Sequence, residues 1–174
     1  EYHERKSALT NFLSPRIAEK VLSSESDRAL APKESILSVL FCDLRGFSRV
    51  SEKHRGDLLA LYRKIQAALS VMTSGILDAD GAIADFQGDA ALGFWGWPIA
   101  QDAPAVPAVL AALSISHNFA DEAAAAEKGM LEGLSLGMGV ATGTALAGQI
   151  GTTRQSKIGV FGPIVNQGAR LEGL

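Results

Sequence analysis

GAIADFQGDAALGFWGWP, residues 81–98, decides the fold. Gly81 opens an apolar run, Gly88-Asp89 supplies a tight turn, and AALGFWG returns as the partner strand. Helical patterns flank this hairpin. Upstream, Leu58, Leu61, Tyr62, Ile65, Leu69, Met72 and Ile76 recur at three- and four-residue steps, which predicts an amphipathic helix. Downstream, DAPAVPAVLAALSISHNFADEAAAA reads as an alanine-rich helix with Val106, Val109, Leu110 and Leu113 turned inward. ILSVLFCDL, 36–44, is a nearly continuous apolar run and reads as a strand buried on both faces. LSLGMGVA and TALAGQI read as two short glycine-punctuated strands and KIGVFG as another. PIVNQGARLEGL begins a helix with Pro163 in its first turn. The order strand, helix, hairpin, helix, strands, helix predicts an α+β fold with helices covering a mainly antiparallel sheet.

The rest of the composition narrows the function. A chain of 174 residues with 47% apolar and 20% charged residues fits one soluble globular domain. The net charge of −3 carries no basic footprint for nucleic acid. Trp95 and Trp97 fit a strand end packed on a helix better than a base-stacking platform. Cys42 is the only cysteine, which excludes an internal disulfide framework and suits a reducing, cytoplasmic compartment. His3, His54 and His117 are too scattered to suggest a zinc triad. No apolar run approaches the ~18 residues of a membrane span, so no membrane contact by this segment is expected. EYHERKSALTN lacks the apolar core of a signal peptide and reads as the start of a cut fragment. Residues 1–34 form a leader: Ser14-Pro15 starts a helix, Ile17, Val21 and Leu22 share one stripe, and SSESDRALAPKES is a polar connector.

Several side chains could carry chemistry. Asp43 ends a buried strand, where a carboxylate needs either a cation or donors, or else serves as a helix cap. Asp89 sits at the hairpin tip, where Gly-Asp is also ordinary turn chemistry. Together, with the hairpin beside the first strand, the two would offer hard oxygen ligands, and Mg²⁺ favours one or two carboxylates plus substrate phosphates. In LRGFS, Gly46 allows close backbone approach and the following helix start offers N–H groups to phosphate. Asn166 and Arg170 lie four apart, hence on one helix face, which is either a phosphate- and ribose-directed pair or a solvated face.

With those residues in view, the chain resembles the class III nucleotidyl cyclases, the adenylate and guanylate cyclase catalytic domain of bacterial type. VLFCDLRGFSRVSE resembles their first block, GAIADFQGDAALGFWGWP their metal-bearing hairpin, QDAPAVPAVLAALSI the helix after it, and GMGVATGTALAGQIGTTRQSKIGVFGPIVNQGARLE their C-terminal block. FLSPRIAEKVL is similar to the segment preceding such domains in bacterial multidomain proteins. The resemblance implies a ferredoxin-like βαββαβ core over 35–174, with 1–34 as a signal-transducing leader beneath an upstream sensor or regulatory domain. It also implies cyclisation of a nucleoside triphosphate to a 3′,5′-cyclic nucleotide and pyrophosphate for intracellular signalling. Two Mg²⁺ or Mn²⁺ ions per site would be held by Asp43, Asp89 and the Leu44 carbonyl. Backbone N–H groups of Arg45, Gly46, Phe47 and Ser48 would hold phosphates, and Arg154 occupies a loop where some members place another phosphate-directed Arg. Asn166 would position the ribose and Arg170 would stabilise charge on the α-phosphate. The sites would be shared across a homodimer.

The departures concern the base. Adenylate cyclases carry Lys four residues before the hairpin metal Asp; here that residue is Asp85. Their second selector, Asp or Thr, corresponds here to Gly159. Guanylate cyclases carry an acid, usually Glu, at the first position and a small residue at the second. A carboxylate suits the adjacent N1–H and 2-amino donors of guanine and opposes the N1 acceptor of adenine. Asp85 therefore favours GTP, with adenylate or relaxed specificity as the alternative, and a pyrimidine cyclase or impaired pseudo-cyclase behind it. The resemblance further implies two more strands and a phosphate-binding Lys after Leu174, so 35–174 reads as truncated at its C-terminus. No GGDEF-like turn points to a diguanylate cyclase.

Overall fold

In the computed structural model, which describes residues 2–24, 28–125, 129–152 and 156–174, the hairpin forms as its turn residues dictate. β2 (Ala82–Gln87) and β3 (Ala90–Trp95) flank Gly88, whose φ of 65° suits the turn. The remaining elements are α1 (Tyr2–Thr10), α2 (Pro15–Ser23), β1 (Lys33–Arg45), α3 (Phe47–Lys53) and α4 (Leu58–Asp78), followed after the hairpin by α5 (Ala105–Ala124), β4 (Ser135–Gly151), β5 (Ser156–Phe161) and α6 (Pro163–Glu172). The sheet order is β2-β3-β1-β4-β5 and every pairing is antiparallel. β1, α4, β2, β3, α5 and β4 make the expected ferredoxin-like core, with β5 added at one edge.

Helices α4 and α5 cover one face, where Leu40, Cys42, Met72, Ile76, Trp95 and Ile115 form a buried cluster. The other face packs Val39, Phe94, Ala141 and Ile164 against the leader residues Leu13, Ile17 and Val21. The leader is thus built into the core. Ser14 caps α2 by accepting from the Ile17 amide at 3.2 Å, with Pro15 in the first turn. Among the described residues, no helix is long and apolar enough to cross a membrane.

Three expectations change. The two short strands at 134–150 are one continuous β4, and β1 starts earlier, at Lys33. The inward face of α5 is also reversed: Ala108, Ala111, Ile115 and Phe119 are buried, while Val106, Val109, Leu110 and Leu113 are 46–61% exposed. Spacing explains it. At Gly75 of α4, an added Cβ would come within 2.3–3.0 Å of the Ile115 side chain, so this crossing admits only small residues alongside it. Alanine supplies them, and the larger aliphatics are left outside. On α4, likewise, Leu58 and Tyr62 are exposed and the buried side is Ala68, Met72, Gly75 and Ile76.

Candidate active site

Register brings the two expected acids together. Asp43 pairs with Ala90 across β1 and β3, which places it beside Asp89 at the hairpin turn. Burial pushes the Asp43 carboxyl above the ordinary carboxylate range, and the negative charges of Asp89 and Glu172 push the same way. A backbone hydrogen bond at Leu44 and the charge of Arg45 act against that rise. Glu172 is an acid that motif reading does not single out. It reaches this place because α6 lies very close to β4: a Cβ at Gly139 would run into the Gly168 carbonyl oxygen of α6. Arg45 then donates to the carbonyl and to the Oε1 of Glu172, the latter at 3.1 Å. Arg45 is thus hydrogen-bonded to Glu172, and its charge offsets only part of the repulsion that Asp43 meets from Asp89 and Glu172.

Hard oxygens crowded at a sheet end fit a divalent cation. Among the described residues no group of three or more His, Cys, Asp or Glu forms a metal cage. A cation on Asp43 and Asp89 would therefore need further oxygens, which is the way Mg²⁺ is held when substrate phosphates complete its shell. Directly after β1 the chain turns at Gly46, whose φ is 82° and whose Cβ, if present, would sit 2.9 Å from the Gly133 carbonyl oxygen. α3 starts there with no side-chain cap, leaving its first N–H groups to an anion or water. Asn166 and Arg170 both lie on the exposed side of α6, away from Ile164 and Gly168, which face the sheet. Arg154 lies outside the described residues. Cys42 is buried and its thiol is pushed up to about 12, so it is no nucleophile at neutral pH.

Asp85 stands apart from Asp89. Its neighbours across the sheet are Leu92 and then Phe41, and with Ala90 and Ala91 they line a recess of about 40 Å³. Oδ1 of Asp85 accepts from the Phe86 amide at 2.9 Å, and Oδ2 accepts from Lys157 Nζ at 2.8 Å. The Lys157 hydrogen bond, more than any other influence, holds this carboxyl below the usual range. Lys157 was invisible to motif reading, although strand alternation places it on the same side of β5 as Gly159, two residues on. At Gly159 an added Cβ would meet Ile150 Cδ1 at 2.7 Å, so a side chain there would require Ile150 to turn aside.

Comparisons with known proteins bear on the family and the fold. A sequence profile of the adenylate and guanylate cyclase catalytic domain matches residues 30–174. An adenylate cyclase from Anabaena cylindrica is 30% identical over 142 residues, covering 79% of this chain and 27% of that protein. Adenylate cyclase 1 of Rhizobium meliloti is 25% identical over 139 residues, covering 79% of this chain and 20% of that protein. The chain thus spans about a quarter of the length of these relatives. Among solved structures, the adenylyl cyclase CyaB from P. aeruginosa is 30% identical with a TM-score of 0.73, covering 83% of this chain and 74% of that one. The guanylyl cyclase Cya2 is 27% identical with a TM-score of 0.71, covering 81% and 71%.

Proposed function

This chain belongs to the adenylate and guanylate cyclase catalytic domain family, and we propose that it converts a nucleoside triphosphate, GTP in preference, to its 3′,5′-cyclic monophosphate and pyrophosphate. The 3′-oxygen bonds the α-phosphorus, the bond from that phosphorus to the bridging oxygen breaks with its electron pair leaving on pyrophosphate, and the 3′-hydroxyl proton passes to solvent water. Asp43, Asp89 and the Leu44 carbonyl would hold two Mg²⁺ or Mn²⁺ ions, which when bound supply charge for the 3′-oxygen and the phosphates. The N–H groups from Arg45 to Ser48 cradle the β- and γ-phosphates. On a second copy of the chain, Asn166 orients the ribose and Arg170 meets the charge that develops on the α-phosphate.

The observation that carries the choice of base is the Asp85–Lys157 pair at 2.8 Å beside the Phe41–Leu92 recess. The ionised carboxylate accepts from guanine N1–H and the 2-amino group, and the ammonium donates to O6. This gives the guanine edge a partner for each donor and acceptor. The same ammonium also favours a second reading, relaxed specificity, because it can donate to adenine N1. Turnover assays with Mn²⁺ and each of GTP, ATP, CTP and UTP test both. We expect GTP to give the highest kcat/KM and Asp43→Ala or Asp89→Ala to abolish turnover; ATP as the best substrate would overturn the guanine assignment.

A further inference from the structure

Asp80 closes the turn between α4 and β2 with φ at 58°, the one positive φ at a non-glycine among the described residues. Asp is tolerated there better than most residues, yet the conformation still needs external support. Both carboxylate oxygens provide it. Oδ1 accepts from the buried Ser14 hydroxyl at 2.8 Å, and Oδ2 accepts from the Arg16 guanidinium at 2.8 Å. Next to this clamp the leader acts as an edge partner for the start of β2. Leu13 bridges Ala82 in the antiparallel sense, and the Phe12 carbonyl accepts from the Ile83 amide at 2.8 Å. This pairing ends at Ile83, where the β2–β3 ladder shifts register before Asp85.

A shift of this kind re-aims every later side chain on the strand. One residue of slip would send Asp85 to the opposite face and bring Ala84 or Phe86 to the recess. Phe86 is a strong competitor for that place: it is exposed where it stands, and the recess lined by Phe41 and Leu92 is apolar. The hydrophobic effect alone therefore does not hold Asp85 in place.

We infer that Asp80 is a positioning residue for base selection. Acting through Ser14 and Arg16, it anchors residues 12–16 against β2 and so fixes the register in which Asp85 faces the recess. The inference rests on the base-selecting reading of Asp85, and its test separates the two. Asp80→Gly suits the backbone and removes the clamp. Asp80→Asn keeps an acceptor for Ser14 but loses the charge facing Arg16. Both are measured in the chain as it stands, by the ratio of kcat/KM for GTP to that for ATP and by hydrogen exchange across Ile83–Gln87.

For Asp80→Gly the ratio should change by roughly fivefold or more, since small misplacements of a reacting or recognising group are costly. Exchange across β2 should quicken. Asp80→Asn should show the same two changes at smaller size, and it decides the matter if the glycine variant does not fold. A folded Asp80→Gly protein with unchanged exchange, or one that loses GTP and ATP turnover by the same factor, would overturn the inference. If the wild-type chain turns over neither nucleotide, exchange across Ile83–Gln87 alone decides: quickened exchange in Asp80→Gly supports the register role of Asp80, and unchanged exchange overturns it.

Discussion

Asp85 lines the recess and Lys157 pairs with it there, and the exposure of the two decides what that pairing is for. Their side chains are 42% and 60% exposed, and pairs that wet contribute only about 0–1 kcal/mol to stability. Recognition is a different matter, because a nucleotide base seated on the pair would exclude the water that screens it. Lys157→Met keeps the length of the side chain and removes its donor. It should leave unfolding by urea nearly unchanged while lowering kcat/KM for GTP roughly tenfold, the size of a lost polar contact to a substrate. The ATP value serves as the internal comparison. An equal fall for both nucleotides would remove Lys157 from base recognition, and a larger fall for ATP would favour relaxed specificity over the guanine reading.

At the scale of elements, α5 is the decisive case. Its first half, AVPAVLAAL, is apolar on every side, so periodicity there establishes a helix without orienting it. The buried side is set by how closely α4 approaches, a tertiary fact carried by Gly75 and Ala111. Val109→Ser should therefore shift stability by no more than about 0.5 kcal/mol, as exposed positions do. Ile115→Ala should cost about 2–5 kcal/mol through the cavity it leaves. Urea unfolding of the two variants checks the orientation, and a large loss for Val109→Ser with little for Ile115→Ala would reverse it. The same logic explains the rest of what the sequence made legible. The hairpin follows from turn chemistry and strand pattern, both local, whereas Asp43 comes to its tip only through the β1–β3 pairing. β4 looked broken because Gly139 and Gly143 resembled punctuation, whereas they are contact points for α6. Glu172 and Lys157 became visible only when helix packing and strand pairing had brought them to Asp43 and Asp85.

At the scale of the whole molecule, the acids and the Asn166–Arg170 pair belong to different surfaces. Asp43 and Asp89 close one end of the sheet, while Asn166 and Arg170 stand on the exposed side of α6. A shared site between two copies uses both surfaces twice, giving two equivalent centres. This has an arithmetic consequence. In a mixed dimer of Asp43→Ala and Arg170→Ala chains, one centre collects both defects and the other collects none. Free exchange of equal amounts makes about half of the dimers mixed, each with one intact centre of two, so activity should return to about a quarter of wild type. Each variant alone should be inactive. Cyclisation assays on the separate and mixed proteins, with different affinity tags on the two variants so that tandem purification confirms that chains have exchanged, test the arrangement. Activity that stays at zero in a mixture shown to contain mixed dimers would place all four residues in a site within one chain.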